Sequence, residues 1–102
     1  MNIIQRHPFT PGEILQEEFM EPHDLSQQKL AKLLRVTRRR VHEIIKGKRA
    51  ITPDTTLRLG KLFKMSSTYW LNLQMKYDLW QTMEKDSVKT DLENIHPLPL
   101  AA

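Results

Sequence analysis

The segment of residues 26–49 constrains this chain most, because two short amphipathic patterns follow each other there with a tight turn between them. Leu30 and Leu34 lie four residues apart and share one face of the first pattern. Val41 and Ile44 share one face of the second pattern in the same way. This arrangement predicts a helix-turn-helix, a motif whose second helix enters the major groove of DNA.

The second helix of this motif and the residues just after it are crowded with positive charge. The cations are Arg38, Arg39, Arg40, Lys46, Lys48 and Arg49. Glu43 is the one acid in the sequence between Arg35 and Arg49. A solvated helix face usually mixes signs, because oppositely charged pairs four residues apart are favourable. Clustering of one sign is favourable where the partner is an anion, so the segment predicts nucleic-acid binding, with a merely solubilising charge run as the alternative.

The residues predicted to bind DNA divide by the type of contact. Arg38, Arg39 and His42 are the candidates for reading base edges, because arginine pairs bidentately with guanine. Gln27 begins the preceding helix, where the helix dipole favours an anion, and it can brace a phosphate. Thr37 is the expected N-cap of the reading helix, and its hydroxyl can also touch a phosphate. The backbone-contact candidates are Arg40, Lys46, Lys48 and Arg49. A plain surface position is the alternative for Gln27 and for the last three cations.

The composition excludes several other classes of protein. A chain of 102 residues with a net charge of +4 is expected to form one domain with an anionic partner. It has no cysteine, which excludes disulfides, thiolate metal sites and cysteine nucleophiles. The histidines are His7, His23, His42 and His96. They show no metal-ligand spacing, and no nucleophile constellation is visible, so we expect no metal, no cofactor and no catalysis. No membrane span or signal peptide is visible either, so the expected location is the cytoplasm.

Capping signals in the sequence predict where the helices begin. Thr10 is a plausible N-cap, with Pro11 at the first helical position and Glu13 at the third, which is close to a capping box. This first helix is expected to run to about Met20 and to stop before Pro22. The remaining expected N-caps are Ser26, Thr37, Thr52 and either Ser66 or Ser67. No segment alternates as a strand does, so the sequence predicts an all-α fold of five helices, the fifth covering about residues 68–84.

The chain is expected to have three parts. Residues 1–10 form an irregular N-terminal arm, and residues 11–84 form the helix-turn-helix DNA-binding and dimerisation domain. Residues 85–102 form a C-terminal tail that is either flexible or a short extended segment. Pro97 and Pro99 exclude a regular helix around them.

The fifth helix carries more apolar surface than one core-facing stripe requires. The interface candidates are Trp70, Leu73, Tyr77 and Trp80. A helix-turn-helix alone has a small footprint, and a symmetric dimer that reads two half-sites is the usual solution. The pattern therefore favours a homodimer formed through this helix. The alternative is a helix deeply buried in its own monomer.

Three motifs carry a resemblance to a known family. They are Pro-Gly-Glu-Ile-Leu at residues 11–15, Gly-Lys-Arg at residues 47–49 and Trp-Leu-Asn-Leu-Gln at residues 70–74. Together they strongly resemble the HigA family of antitoxins, which belongs to the larger XRE class of helix-turn-helix regulators. The resemblance covers residues 7–80 and is more specific than the helix-turn-helix alone.

The resemblance implies a small, dimeric, lambda-repressor-like helical protein. Members of the family bind double-stranded operator DNA of their own operon and neutralise a HigB-type toxin, an mRNA interferase. The alternative is a stand-alone XRE-type repressor without a toxin partner. Many family members carry glycine where Arg35 stands, and a turn residue with positive φ costs arginine more than glycine.

The first helix is acidic, and its acids are candidates for toxin binding. The residues are Glu13, Glu17, Glu18 and Glu21. A basic ribonuclease toxin would be attracted by this face. The alternative is that Glu13 suits the helix N-terminus and that the others are a solvated face.

Overall fold

A computed structural model describes residues 8–100 of the chain, and these residues form helices and no strand. Helix α1 starts as an α-helix over Pro11–Ile14 and continues as a π-helix over Leu15–Met20. The later helices are α2 (Gln27–Leu34), α3 (Arg38–Ile45), α4 (Pro53–Phe63), α5 (Ser67–Met83) and α6 (Asp86–Glu93). The predicted all-α class is confirmed. The expected arm at residues 1–10 lies mostly outside the described residues.

Four helices begin at predicted caps whose side chains bond the backbone, whereas Thr52 lies at the N-cap of α4 without a capping hydrogen bond from its side chain. Thr10 Oγ1 accepts a hydrogen bond from Glu13 N at 3.1 Å, and the Glu13 carboxylate accepts one from Thr10 N at 3.0 Å, which completes a capping box. Ser26 and Thr37 cap α2 and α3 by accepting from the backbone N–H three residues on. Ser66, rather than Ser67, caps α5. Each of these bonds satisfies a backbone donor that the helix itself leaves unpaired.

The core lies where helices α1 to α5 meet. Its largest fully buried side chains are Trp70, Leu15, Leu30, Leu59 and Val41. The Trp70 ring lies 4.8 Å from the Phe19 ring, measured between centroids, and joins α5 to α1. Helix α2 packs on α3, and α4 packs on α5. Helix α3 is therefore supported from behind, with its opposite side exposed to solvent.

Helix α1 approaches the end of α3 closely, and Gly12 makes this approach possible. A Cβ added at Gly12 would lie 2.8 Å from Ile45 Cα and closer still to the Ile44 carbonyl oxygen. Real side chains do not tolerate that separation from backbone, so only glycine fits here. The contact fixes the position of α3 relative to α1.

The turn of the helix-turn-helix contains a residue with positive φ. Arg35 ends α2 in the left-handed region with φ of 61° and ψ of 42°. Glycine would adopt this conformation without the steric cost that Cβ imposes on arginine. Arg58 Nη1, on α4, donates to the Leu34 carbonyl oxygen at 2.9 Å and so satisfies an unpaired group at the end of α2.

The prediction of a flexible or extended tail is wrong for part of residues 85–102. Asp86–Glu93 form helix α6, which packs against α5. Asp86 lies in its first turn, where an acid favours the helix dipole, and the half-buried Val88 and the exposed Leu92 share one side of it. Residues 95–100 have no regular secondary structure, as the two prolines require. The domain boundary at residues 84–85 stays a prediction.

Candidate nucleic-acid interface

Helix α3 has one buried face and one cationic face. Val41, Ile44 and Ile45 are buried against the core. The exposed side carries Arg38, Arg39, His42 and Lys46. The Arg39 side chain is 85% exposed, so it can reach a partner without any change in the fold. The predicted base-reading residues therefore share one accessible surface.

Glu43 organises two of the cations on this surface. Its carboxylate accepts a hydrogen bond from Arg39 Nε at 3.1 Å. On its other side it accepts from Arg49 Nε at 2.8 Å and Nη2 at 2.7 Å. These hydrogen bonds, that from Arg49 more than that from Arg39, hold the pKa of Glu43 below its ordinary value of 4.5. The acid is therefore ionised at neutral pH and pairs with both arginines.

Arg40 points away from this surface and joins α3 to α4. Its Nη2 donates to Asp54 Oδ1 at 2.7 Å and to Thr55 Oγ1 at 2.6 Å. Only 24% of its side chain is exposed. Arg40 thus has a structural function within the chain, and its expected function as a phosphate clamp stays a prediction.

Asp54 and Arg58 complete this structural contact, and the sequence reasoning missed them. Arg58 Nε donates to Asp54 Oδ1 at 2.8 Å while its Nη1 bonds the end of α2. Hydrogen bonds from Arg58 and, less strongly, from Arg40 hold the pKa of Asp54 below its ordinary value of 3.8. Their spacing of four residues on α4 is a signal in the sequence, but it does not reveal the contacts of this pair with α2 and α3.

The remaining DNA candidates surround the exposed side of α3. Gln27 Oε1 lies 3.1 Å from His42 Nδ1, which places the start of α2 beside the middle of α3. Thr37 is exposed at the N-terminus of α3. Arg38, Lys46 and Lys48 are exposed and form no ion pair with any of residues 8–100. Gly47 has φ of 74° and turns the chain so that Lys48 and Arg49 follow the cationic face.

The exposed apolar surface of α5 differs in part from the surface that the sequence predicts. Trp70 is fully buried in its own chain, so it is removed from the interface candidates. Leu73 packs against the same core, and Tyr77 stacks on Trp80 at 6.2 Å between ring centroids. Met75 and Leu79 are each 59% exposed and lie on the opposite side of the helix. This side, with the half-buried Leu71, is named here the free face of α5.

The acidic residues of α1 separate into two groups. Glu13 accepts a hydrogen bond within the capping box, so it has a structural function. Glu17, Glu18 and Glu21 are exposed and form no ion pair within the described part of the chain. They remain available to a basic partner.

Residues 8–100 contain neither a candidate metal site nor a candidate membrane span. No group of three histidine or acidic side chains there could hold a metal ion. The helices of this range are each too short or too polar to span a lipid bilayer.

Comparison with known proteins agrees with this geometry. A family model described as helix-turn-helix matches residues 17–70. The uncharacterized HTH-type transcriptional regulator YbaQ of Escherichia coli K12 is 40% identical over 95 residues, which are 93% of this chain and 84% of that protein. Antitoxin HigA-1 of Vibrio cholerae is 32% identical over 85 residues, which are 83% of this chain and 80% of that protein.

A solved structure extends the likeness to three dimensions. The structure of Pseudomonas aeruginosa antitoxin HigA with the higBA promoter matches with a TM-score of 0.84 at 37% identity. The match covers 90% of this chain and 99% of that one. The fold and the cationic face of α3 define a helix-turn-helix protein of the DNA-binding type. Within that class, the chain belongs to the HigA family of antitoxins.

Proposed function

We propose that this protein binds operator DNA of its own operon as a sequence-specific repressor, through the exposed side of α3. The observation that carries the proposal is the concentration of cations on one face of a helix whose other face is packed in the core. The similarity to antitoxin HigA with the higBA promoter supports the same assignment. The proposed DNA-binding function supports a cytoplasmic location, which is part of the same proposal.

Two kinds of contact are proposed on this surface. Arg38 and Arg39 lie on the helix that enters the major groove, where a guanidinium can meet guanine O6 and N7. Lys46 and Lys48 lie at and beyond the end of α3, where they reach phosphates. Gln27 and Thr37 occupy helix N-termini, which are suited to phosphate contact.

The test compares two alanine variants on DNA taken from upstream of the gene and on random DNA. Arg39→Ala is expected to cost about 1–3 kcal/mol per half-site on the upstream DNA and to relax the preference at one base pair. Lys48→Ala is expected to weaken binding equally on all sequences and to reduce the salt slope by about one. Fluorescence anisotropy at several salt concentrations measures both quantities. If wild type binds both DNAs equally, the repressor proposal is wrong.

We propose that the protein acts as a homodimer formed through α5. Two copies related by symmetry would present two α3 helices to adjacent half-sites. The free face of α5 is apolar and uncovered within the described residues, and a second copy would bury it. Leu73, Tyr77 and Trp80 stay as the alternative contact on the other side of the helix.

We further propose that the protein neutralises a ribonuclease toxin of the HigB type. The family supports this, and HigA-1 of Vibrio cholerae is named an antitoxin. Because α3 is needed for DNA, the exposed acids of α1 are the proposed toxin contact, namely Glu17, Glu18 and Glu21. Inhibition would proceed by occupancy of the toxin, without catalysis. Co-purification of the chain with the product of the neighbouring open reading frame tests this, and its failure would favour a stand-alone repressor.

A further inference from the structure

We propose that Glu43 determines the specificity of the DNA-reading face, because it holds Arg39 in one orientation and opposes binding to DNA that lacks the matching base. The proposal rests on the DNA-binding function proposed above. It assigns a positioning function to the single acid among the cations of α3.

The geometry of the Arg39–Glu43 pair leaves the reading edge of the arginine available. Glu43 bonds Nε of the guanidinium, at 3.1 Å, and the two terminal nitrogens take no part in this bond. A guanidinium is planar, so a bond at Nε turns the edge formed by the two Nη atoms outward. That edge supplies the two parallel donors that guanine O6 and N7 accept.

Glu43 is itself held rigidly enough to position a neighbour. Its side chain is only 22% exposed, although that of Arg39 is 85% exposed. Its other carboxylate oxygen accepts from Arg49 Nε at 2.8 Å and from Arg49 Nη2 at 2.7 Å. The backbone carbonyl of Glu43 also accepts from Lys48 N at 2.8 Å and from Arg49 N at 3.2 Å. An otherwise mobile arginine is thus anchored to a fixed acid, which reduces the rotamer entropy lost on reading a base.

The same acid disfavours binding to other sequences. A carboxylate on a DNA-facing helix repels DNA phosphates whatever the base sequence is. Its ion pairs with Arg39 and Arg49 also compete with the binding of these arginines to phosphates. A guanine opposite Arg39 compensates for this repulsion by bidentate pairing, whereas another base does not. Discrimination is a difference of affinities, so a cost shared by all sequences and a gain confined to one sequence increase the discrimination.

The test is a selection of duplexes from a random pool by four proteins: wild type, Glu43→Gln, Arg39→Ala and the control Glu93→Gln. The control removes an equal charge from α6, outside the cationic face. Wild type and the control are expected to enrich the same motif, with guanine at one position in each half-site. Arg39→Ala and Glu43→Gln are expected to lose the preference at that same position. Circular dichroism confirms that each variant is folded.

Affinities for the selected duplex and a scrambled duplex complete the test. For Glu43→Gln, the selected-to-scrambled affinity ratio should fall about tenfold, in the range of one bidentate contact. Its affinity for the scrambled duplex should rise, with a steeper salt dependence, because cations are released. Arg49→Ala should bind all sequences more weakly and should lose part of the base preference, because Arg49 holds the other carboxylate oxygen of Glu43.

Three results would overturn the inference. The first is an unchanged affinity ratio in Glu43→Gln. The second is a preference lost at a position other than that lost in Arg39→Ala, which would mean that Glu43 contacts a base directly. The third is a weaker affinity of Glu43→Gln for scrambled DNA. Failure of wild type to enrich any motif would instead refute the DNA-binding function itself, so the two failures are distinguishable.

Discussion

Nη2 of Arg40 lies 2.7 Å from Oδ1 of Asp54, and this ion pair joins the DNA-facing helix α3 to the first turn of α4. The same carboxylate oxygen accepts from Arg58 Nε at 2.8 Å, and Arg58 in turn bonds the last carbonyl of α2. One acid thus links both helices of the helix-turn-helix to a third helix. Arg40, a cation that the sequence predicts to bind DNA, therefore also holds the DNA-binding elements together.

Asp54→Asn should reveal this linkage through pH. The folded-state pKa of Asp54 lies below 3.8, so the stability it contributes is present above 3.8 and is lost as the pH falls through the folded pKa. The difference in Tm between wild type and Asp54→Asn should be constant near neutral pH and should shrink in acid below about pH 4. Thermal melts by circular dichroism measure it. Asp91→Asn, which removes an acid of α6 without an ion pair in the described residues, should show a smaller difference near neutral pH and little change with pH.

Gly12→Ala should destabilise the fold through the contact between α1 and α3. The new Cβ would meet the backbone of Ile44 and Ile45, which cannot rotate away as a side chain can, so we expect a loss of about 1–3 kcal/mol. Gly47→Ala is the matched control, because its Cβ meets no atom within 4 Å and only the positive φ opposes it. Its cost should be about 1 kcal/mol. Urea denaturation compares the two variants, and a Gly12→Ala loss no larger than that of Gly47→Ala would contradict the expectation.

Arg35→Gly should raise the stability of the fold. The residue is in the left-handed region, where glycine lacks the steric cost, so the free energy of unfolding should rise by up to about 1 kcal/mol. Lys64→Gly, with φ of 52° at the end of α4, should stabilise the fold similarly. Chemical denaturation measures both, and a loss of stability in both variants would refute the strain argument.

Charged substitutions on the free face of α5 should break the proposed dimer. Met75→Glu with Leu79→Glu would place two acids in an apolar contact, so the protein should sediment as a monomer at micromolar concentration. The variant should lose more free energy of operator binding than free energy of unfolding, because a monomer occupies one half-site without the help of a second copy. Tyr77→Ala is the comparison on the opposite side of the helix. If Tyr77→Ala alone gives the monomer, the contact lies on the side that the sequence first indicated, and a monomeric wild type would refute the dimer.

Reversal of charge on α1 should separate toxin neutralisation from DNA binding. Glu17→Lys with Glu18→Lys should relieve inhibition of the co-expressed toxin and leave operator affinity unchanged or slightly raised, because it removes negative charge from the DNA-binding molecule. A toxin rescue assay and a DNA titration on the same variant measure both. Asp91→Lys with Glu93→Lys on α6 is the matched control. Full neutralisation by the α1 variant would exclude these acids from the toxin contact.

The sequence predicted what depends on neighbours a few residues apart. The caps at Thr10, Ser26 and Thr37 are local hydrogen bonds. The cationic character of α3 is likewise a property of consecutive residues. These features could be predicted because the atoms involved are joined by short lengths of chain.

The tertiary structure decided what depends on how the helices are oriented. Only the folded arrangement brings Asp54, at the start of α4, within reach of Arg40, and only the core contact of α5 buries Trp70 and leaves Met75 exposed. Arg58 reaches a carbonyl 24 residues away, which no local spacing indicates. Helix periodicity shows which residues share a face. Which face packs against a neighbouring helix depends on the total apolar surface that all the helices together remove from water. That total is defined only once every helix is in place in the folded chain.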